Sequence, residues 1–268
     1  MMRAALVAEY RKLVTTRLWW ILLAVMAAYM ALIAAGLGWS LSQDTTTTGT
    51  GDEVVLTPDA VVRSVYTVAV SLGYVFPLLV GALAFSAEFR HKTITPTLLA
   101  EPSRTRVLLA KLGANGVVGL LFGAVGTAAA VLVGAGVLAA IGEETFLDSA
   151  STWRSIGLSV LALALWALLG TALGSVLTNQ VAVIVVVLAF TQFVEPIARV
   201  VLGLTSWGSR VAAFLPGAAG EAVSGGSLYS ATGMTSLLSW WQGLLVLLAY
   251  VVVLSAIGRI TTLRRDIT

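Results

Sequence analysis

The sequence predicts an all-α polytopic membrane protein, and three observations lead there. Of 268 residues, 58% are hydrophobic and 11% charged, whereas an ordinary soluble domain is about 45–50% apolar and about 25% charged. Six apolar stretches recur along the chain, each long enough at about 1.5 Å per residue to cross a hydrocarbon core of about 30 Å. The basic residues gather in every second connection between those stretches. A mean hydropathy of +0.95 makes lipid the main solvent. Soluble enzyme, nucleic-acid-binding module and disordered tail are excluded as whole-chain readings.

Residues 1–17 read as an amphipathic helix at the membrane interface. At about 100° per residue, Met2, Leu6, Val7, Tyr10, Leu13 and Val14 share one arc, and Glu9, Arg11, Lys12, Thr15 and Thr16 share the other. The first span, 18–41, carries no charge, with Trp19, Trp20 and Trp39 near its ends as an aromatic belt. It exceeds the apolar core of about 7–15 residues in a cleaved signal peptide, so it reads as an uncleaved anchor. A polar loop, Gln43 to Asp59, leads to the second span, 64–87, which contains Pro77. The polar segment 88–111 follows.

The third span, 112–141, carries Gly119 and Gly123; the fourth, 155–178, carries Gly170 and Gly174. Both are small-xxx-small pairs that let helix backbones approach. A short turn at Asn179 and Gln180 opens the fifth span, 181–203, which meets Glu195, Pro196 and Arg199 near its end. Residues 204–236 are too apolar for a free loop and too interrupted for a span. They read as one or two short helices dipping into the membrane from outside. The sixth span, 237–258, precedes a basic tail.

The N-terminal segment, residues 88–111 and the tail hold twelve of the sixteen basic residues and four of the thirteen acidic ones. By the positive-inside rule those three segments, and hence both termini, face the cytoplasm of a plasma membrane. Three lysines against thirteen arginines, with abundant Ala, Val and Gly, hint at a GC-rich bacterial genome.

The chain has no cysteine and one histidine, His91, so thiolate and multi-histidine metal sites are not expected. None of Lys12, Lys92 and Lys111 follows a glycine, as a phosphate-binding loop requires. No catalytic residue, metal ligand or cofactor site is assigned. The ionisable residues within a span are Glu195 and Arg199, spaced i,i+4 to pair on one helix face. They read as an ion pair at the outer interface in preference to a proton site, which argues against a proton-coupled carrier.

The segment EFRHKTITPTLLAEPSRTRVLLAK has an acidic start, a short helical stretch, a Pro-Ser break and a basic re-entry. A helix there could dock into another protein; an ordinary positive-inside loop has the same composition. The pattern resembles the permease subunit of ABC-2-type ATP-binding-cassette transporters. The residues that carry the likeness are Glu88, Phe89, Arg90 and Thr93, then Leu98, Pro102, Ser103, Arg104 and Lys111. Glu9, Tyr10, Lys12 and Leu13 resemble the family's N-terminal opening. Thr93 stands where glycine is common.

The resemblance implies a permease paired with a second copy or a related permease, and with two separate cytoplasmic ATPase subunits that bind ATP and magnesium. The segment around Glu88–Pro102 would be the coupling helix, with the N-terminal helix as a second contact. Spans two and five would line the path of a hydrophobic or amphipathic export substrate (drug, antibiotic, lipid or peptide), through Ser71, Tyr74, Phe76, Phe190, Gln192 and Phe193. A secondary ion-coupled carrier and a non-transporting membrane scaffold or assembly protein remain the alternatives.

Overall fold

The computed structural model describes residues 2–43, 46–47, 53–54, 57–226 and 237–262. The protein is an all-α polytopic membrane protein. Helix α1 spans Met2–Thr15 and α2 spans Leu18–Gln43. A two-residue pairing, Thr46 opposite Val54 and Thr47 opposite Glu53, lies within the expected polar loop. Then come α3 (Pro58–Tyr66), α4 (Val68–Ser71), α5 (Val75–Arg90), α6 (Ile94–Ala100), α7 (Arg104–Ala140) and α8 (Ala150–Val176). Helix α9 (Gln180–Ala189) runs through a π-helical turn, Phe190–Val194, into α10 (Glu195–Gly203). Two short helices, α11 (Ser206–Ala212) and α12 (Pro216–Ser224), precede α13 (Trp240–Thr261).

Five of these segments are long and apolar enough to cross a membrane: Leu18–Ser42, Arg104–Ala140, Ala150–Val176, Gln180–Gly203 and Trp240–Thr261. The expected second span is the exception, because it is not one helix. It is divided into α3, α4 and α5, with breaks at Thr67 and at Leu72–Tyr74. The Thr67 hydroxyl donates to the Arg63 carbonyl at 2.8 Å, a local bond that competes with the helical ladder. Pro77 does not cause the break. It falls in the first turn of α5, where a backbone N–H has no intrahelical partner to lose.

The third span also departs from expectation. Helix α7 begins at Arg104 and not at Leu112, so Arg104 to Lys111 are its first two turns. Its 37 residues extend about 56 Å, well beyond a core of about 30 Å. It stops at Gly142, whose φ of +84° suits a residue without Cβ.

Small residues set the packing. Gly170 and Gly174 of α8 lie against the Leu78 and Ala82 carbonyls of α5, and Gly81 of α5 against the Ala167 carbonyl of α8. Gly119 and Gly123 of α7 meet Ala164 and Val160 of α8. In lipid, association rests on close backbone approach, which a Cβ at these positions would block. Met26, Met30 and Ala34 of α2 complete a core with Phe122 of α7 and Trp166 of α8. All nine residues of α12 are buried, so this short helix is part of the interior. Residues 227–236 of the expected re-entrant region lie outside the described residues, as does the tail beyond Thr262.

Candidate functional site

Two buried ion clusters organise the two ends of the bundle. The first lies where α1, the end of α5, α6 and the start of α7 meet. Helix α5 ends in a tight turn: His91 N donates to the Ala87 carbonyl at 2.9 Å and Thr93 N to the Glu88 carbonyl at 2.9 Å. Lys92 takes the left-handed conformation, φ 54°, while Thr93 is right-handed helical. Threonine is therefore tolerated at position 93, because the left-handed residue is its neighbour. The turn projects α6, seven residues long, before Pro102 and Ser103 return the chain to α7.

Across this elbow Lys12 Nζ donates to Glu88 Oε1 at 2.6 Å, Glu9 Oε1 at 2.8 Å and Thr97 Oγ1 at 3.1 Å. Lys111 Nζ donates to Glu9 Oε2 at 2.7 Å, Glu88 Oε1 at 2.7 Å and the Ala84 carbonyl at 3.0 Å. It also sits 5.1 Å from the centroid of the Phe85 ring, a favourable place for a cation. Burial alone would lower the Lys12 pKa; its hydrogen bonds to Glu88 and Glu9 outweigh burial and hold it above the ordinary lysine value.

The sequence-derived residues around the elbow separate into groups. Glu9, Lys12, Glu88 and Lys111 form the cluster. Phe89 packs beside Phe85 and Leu108. Arg90 reaches the start of α9, donating to Gln180 Oε1 at 3.2 Å. Thr93, Pro102 and Ser103 line a cleft of about 830 Å³ between α1, α6 and α7. Arg104 opens α7, and Leu98 is half-buried. On the outer side of α6, Leu99 is 77% exposed. In α1 Glu9 is buried and Lys12 half-buried, while Arg11, Thr15 and Thr16 of the polar arc and Leu6, Val7 and Tyr10 of the apolar arc are exposed. The Leu13 side chain lies outside the described residues.

The second cluster sits where α10 meets α12. Arg199 Nη2 donates to Glu195 Oε1 at 2.9 Å and Nη1 to Glu221 Oε2 at 2.8 Å. Glu195 Oε1 also accepts from the backbone N–H of Gly217 at 2.6 Å and of Ala218 at 3.3 Å. These are the first amides of α12, the end of a helix that favours an anion. Pro196 explains the preceding π turn, because it removes an N–H and crowds the carbonyl four residues back. The wider turn keeps Val187, Thr191, Glu195 and Arg199 all on the buried face. The expected Glu195–Arg199 pair is present, but it is deeply buried and shared with Glu221.

The expected path-lining residues are partly assembled here. Ser71, Tyr74 and Gln192 line a cleft of about 220 Å³ together with Glu195, Arg199 and Glu221. Tyr74 stacks on Trp166, with ring centroids 4.3 Å apart, and its hydroxyl donates to the Thr191 carbonyl at 3.2 Å. Phe76 instead packs against Tyr29, with centroids 6.2 Å apart. Phe190 is half-buried, and Phe193 is 65% exposed on the outer face.

Sequence reasoning missed Glu221, Thr97 and Asn115. Glu221 carried a signal, a lone carboxylate inside the otherwise apolar PGAAGEAV run; Thr97 and Asn115 carried none. Among the described residues no group of three or more His, Cys, Asp or Glu is arranged to hold a metal ion. No curated protein matches the chain. A family model described as "Protein of unknown function (DUF2705)" matches residues 56–268. The match takes in every span after the first, with the α5–α6–α7 elbow and the Glu195–Arg199–Glu221 cluster, and the chain therefore belongs to that family.

Proposed function

We propose that the chain is the membrane-spanning permease subunit of an ABC-2-type exporter, driven by two separate cytoplasmic ATPase subunits and paired with a second permease. One observation supports it above the others. The Lys12–Glu88–Lys111–Glu9 cluster ties the end of α5, from which α6 projects, to α1 and to the base of α7, and Lys12 also donates to Thr97 of α6. A push on α6 would reach α7, a single helix about 56 Å long, through short charge-assisted bonds. The exposed Leu99 on α6 offers a point for the ATPase to grip. In this reading α5 completes a six-span count with both termini cytoplasmic. ATP and magnesium belong to the partner, and the substrate is hydrophobic or amphipathic.

The test is co-purification of the tagged chain with the ATPase encoded beside it. Leu99→Asp should keep the fold and weaken that association at least tenfold, roughly the effect of forcing a charge into an apolar contact. Glu88→Ala should leave the complex but uncouple ATP hydrolysis from transport. A chain that never recruits an ATPase sinks the proposal. Sidedness has its own test, since the chain has no cysteine. A membrane-impermeant maleimide should label Thr47→Cys on intact cells and not Thr261→Cys.

A second reading, an ion-coupled carrier, draws on the Glu195 cluster. Glu195 Oε2 and Ser71 Oγ are buried without a partner beside the 220 Å³ cleft. Transport abolished by a protonophore but indifferent to the ATPase would select it.

A further inference from the structure

Three residues that line one cleft, on three helices, each carry a buried polar atom without a partner. The cleft, about 360 Å³, lies between α1, the start of α2, α5 and the early turns of α7; the Thr15 and Thr16 hydroxyls on its α1 side already donate to backbone carbonyls of α1. Trp19 Nε1, Glu88 Oε2 and Asn115 Oδ1 are buried there with no hydrogen-bond partner. Glu88 is only 6% exposed and Asn115 1%. Buried polar atoms are nearly always paired, so three around a single space call for a ligand.

The ligand's chemistry follows from what is unmet. Lys12 and Lys111 each already donate to three acceptors, which uses all the protons of an ammonium group. Their two charges are balanced by Glu9 and Glu88. The cleft therefore asks for no net charge, for N–H donors to two acceptors, and for one acceptor opposite the indole N–H. A zwitterion with a primary ammonium and an anionic oxygen meets all three demands.

The site's depth names the source of such a group. Leu18 opens an uncharged membrane helix, and Trp19 belongs to the zone where lipid headgroups lie. Val80 and Leu83 continue the cleft wall in apolar form. We propose that this cleft binds the phosphoethanolamine headgroup of a membrane lipid. The ammonium donates to Glu88 Oε2 and Asn115 Oδ1, and a phosphate oxygen accepts from Trp19 Nε1. A choline headgroup has no N–H to donate, and a glycerol headgroup brings an uncompensated negative charge to Glu88. The site needs this end of the bundle to lie at the membrane surface; it does not need the chain to transport anything.

Native mass spectrometry of the full chain tests this. The protein is released from nanodiscs of equimolar phosphatidylethanolamine, phosphatidylcholine and phosphatidylglycerol. Retention of phosphatidylethanolamine should exceed that of the other two about tenfold, the scale of a hydrogen bond to a charged group. Trp19→Phe keeps the ring and loses the donor, so it should reduce the preference about threefold. Its unfolding temperature in phosphatidylcholine alone should stay unchanged. Equal retention of the three lipids, a preference for phosphatidylglycerol, or an undiminished preference in Trp19→Phe overturns the proposal. Soluble phosphoethanolamine binding as tightly as the lipid would overturn the lipid assignment in favour of a soluble ligand.

Discussion

At one end of the bundle, Glu9, Lys12, Glu88 and Lys111 set two carboxylates against two ammonium groups. At the other, Arg199 bridges Glu195 and Glu221. The first cluster joins α1, α5 and α7, with a hydroxyl from α6, and the Lys12 side chain keeps 41% exposure. The second joins α10 to α12, and its three side chains are each under 5% exposed. The first is a joint between separate elements, balanced in charge and exposed on one side. The second is a lock, which fixes a helix that carries a π turn against a helix whose nine residues are all buried. Breaking a buried charge cluster costs more than breaking an exposed one, because its charges are less screened and cannot be rehydrated in place.

The lock gives the largest expected effect. Arg199→Met leaves two buried carboxylates facing each other, a loss of about 3–5 kcal/mol. Thermal unfolding in detergent should show it as a large drop or as failure to accumulate folded protein. Adding Glu195→Gln and Glu221→Gln to that variant should restore much of the loss, because no buried charge is then unpaired. An Arg199→Met protein that unfolds at the parent temperature would break the comparison.

The joint should be more forgiving. Lys111→Met removes one ammonium group, but Lys12 still bonds both Glu9 and Glu88. The expected loss is about 2 kcal/mol, below that for severing a buried pair outright. If Lys111→Met proves more damaging than Arg199→Met in the same unfolding assay, the assignment of joint and lock is reversed.

What the sequence discloses follows the same division. Glu195 and Arg199 are legible because their i,i+4 spacing is local. Glu221 is not, since its approach depends on how α12 turns back after Pro216. In the joint the Glu9–Lys12 pair is local, at i,i+3, but the pairings that join separate elements span 23, 76 and 102 positions, and no periodicity carries such contacts. The glycine pairs on α7 and α8 are legible because close packing needs small residues at fixed spacing. The break in the second span is not, because a uniformly apolar stretch offers no pattern for a discontinuity to interrupt. The packing of α1 is half legible: the arcs are in the sequence, but that Glu9 and Lys12 meet protein depends on α5 and α7.

The smallest expected effect sets the scale for both clusters. Asp59 and Arg63 pair at 2.9 Å on α3, with side chains 48% and 37% exposed. Their chemistry matches that of the lock, an arginine and a carboxylate at i,i+4, so the two pairs differ chiefly in burial. Exposed helical pairs of this kind contribute about 0.3–0.5 kcal/mol. Asp59→Asn should therefore shift the unfolding temperature only slightly. In 1 M salt, where the Debye length is about 3 Å, that shift should vanish. The Arg199→Met loss should persist at the same salt, because buried charges are screened much less than exposed ones. A salt-sensitive loss in Arg199→Met would show that solvent ions reach the second cluster, and would make it a joint as well.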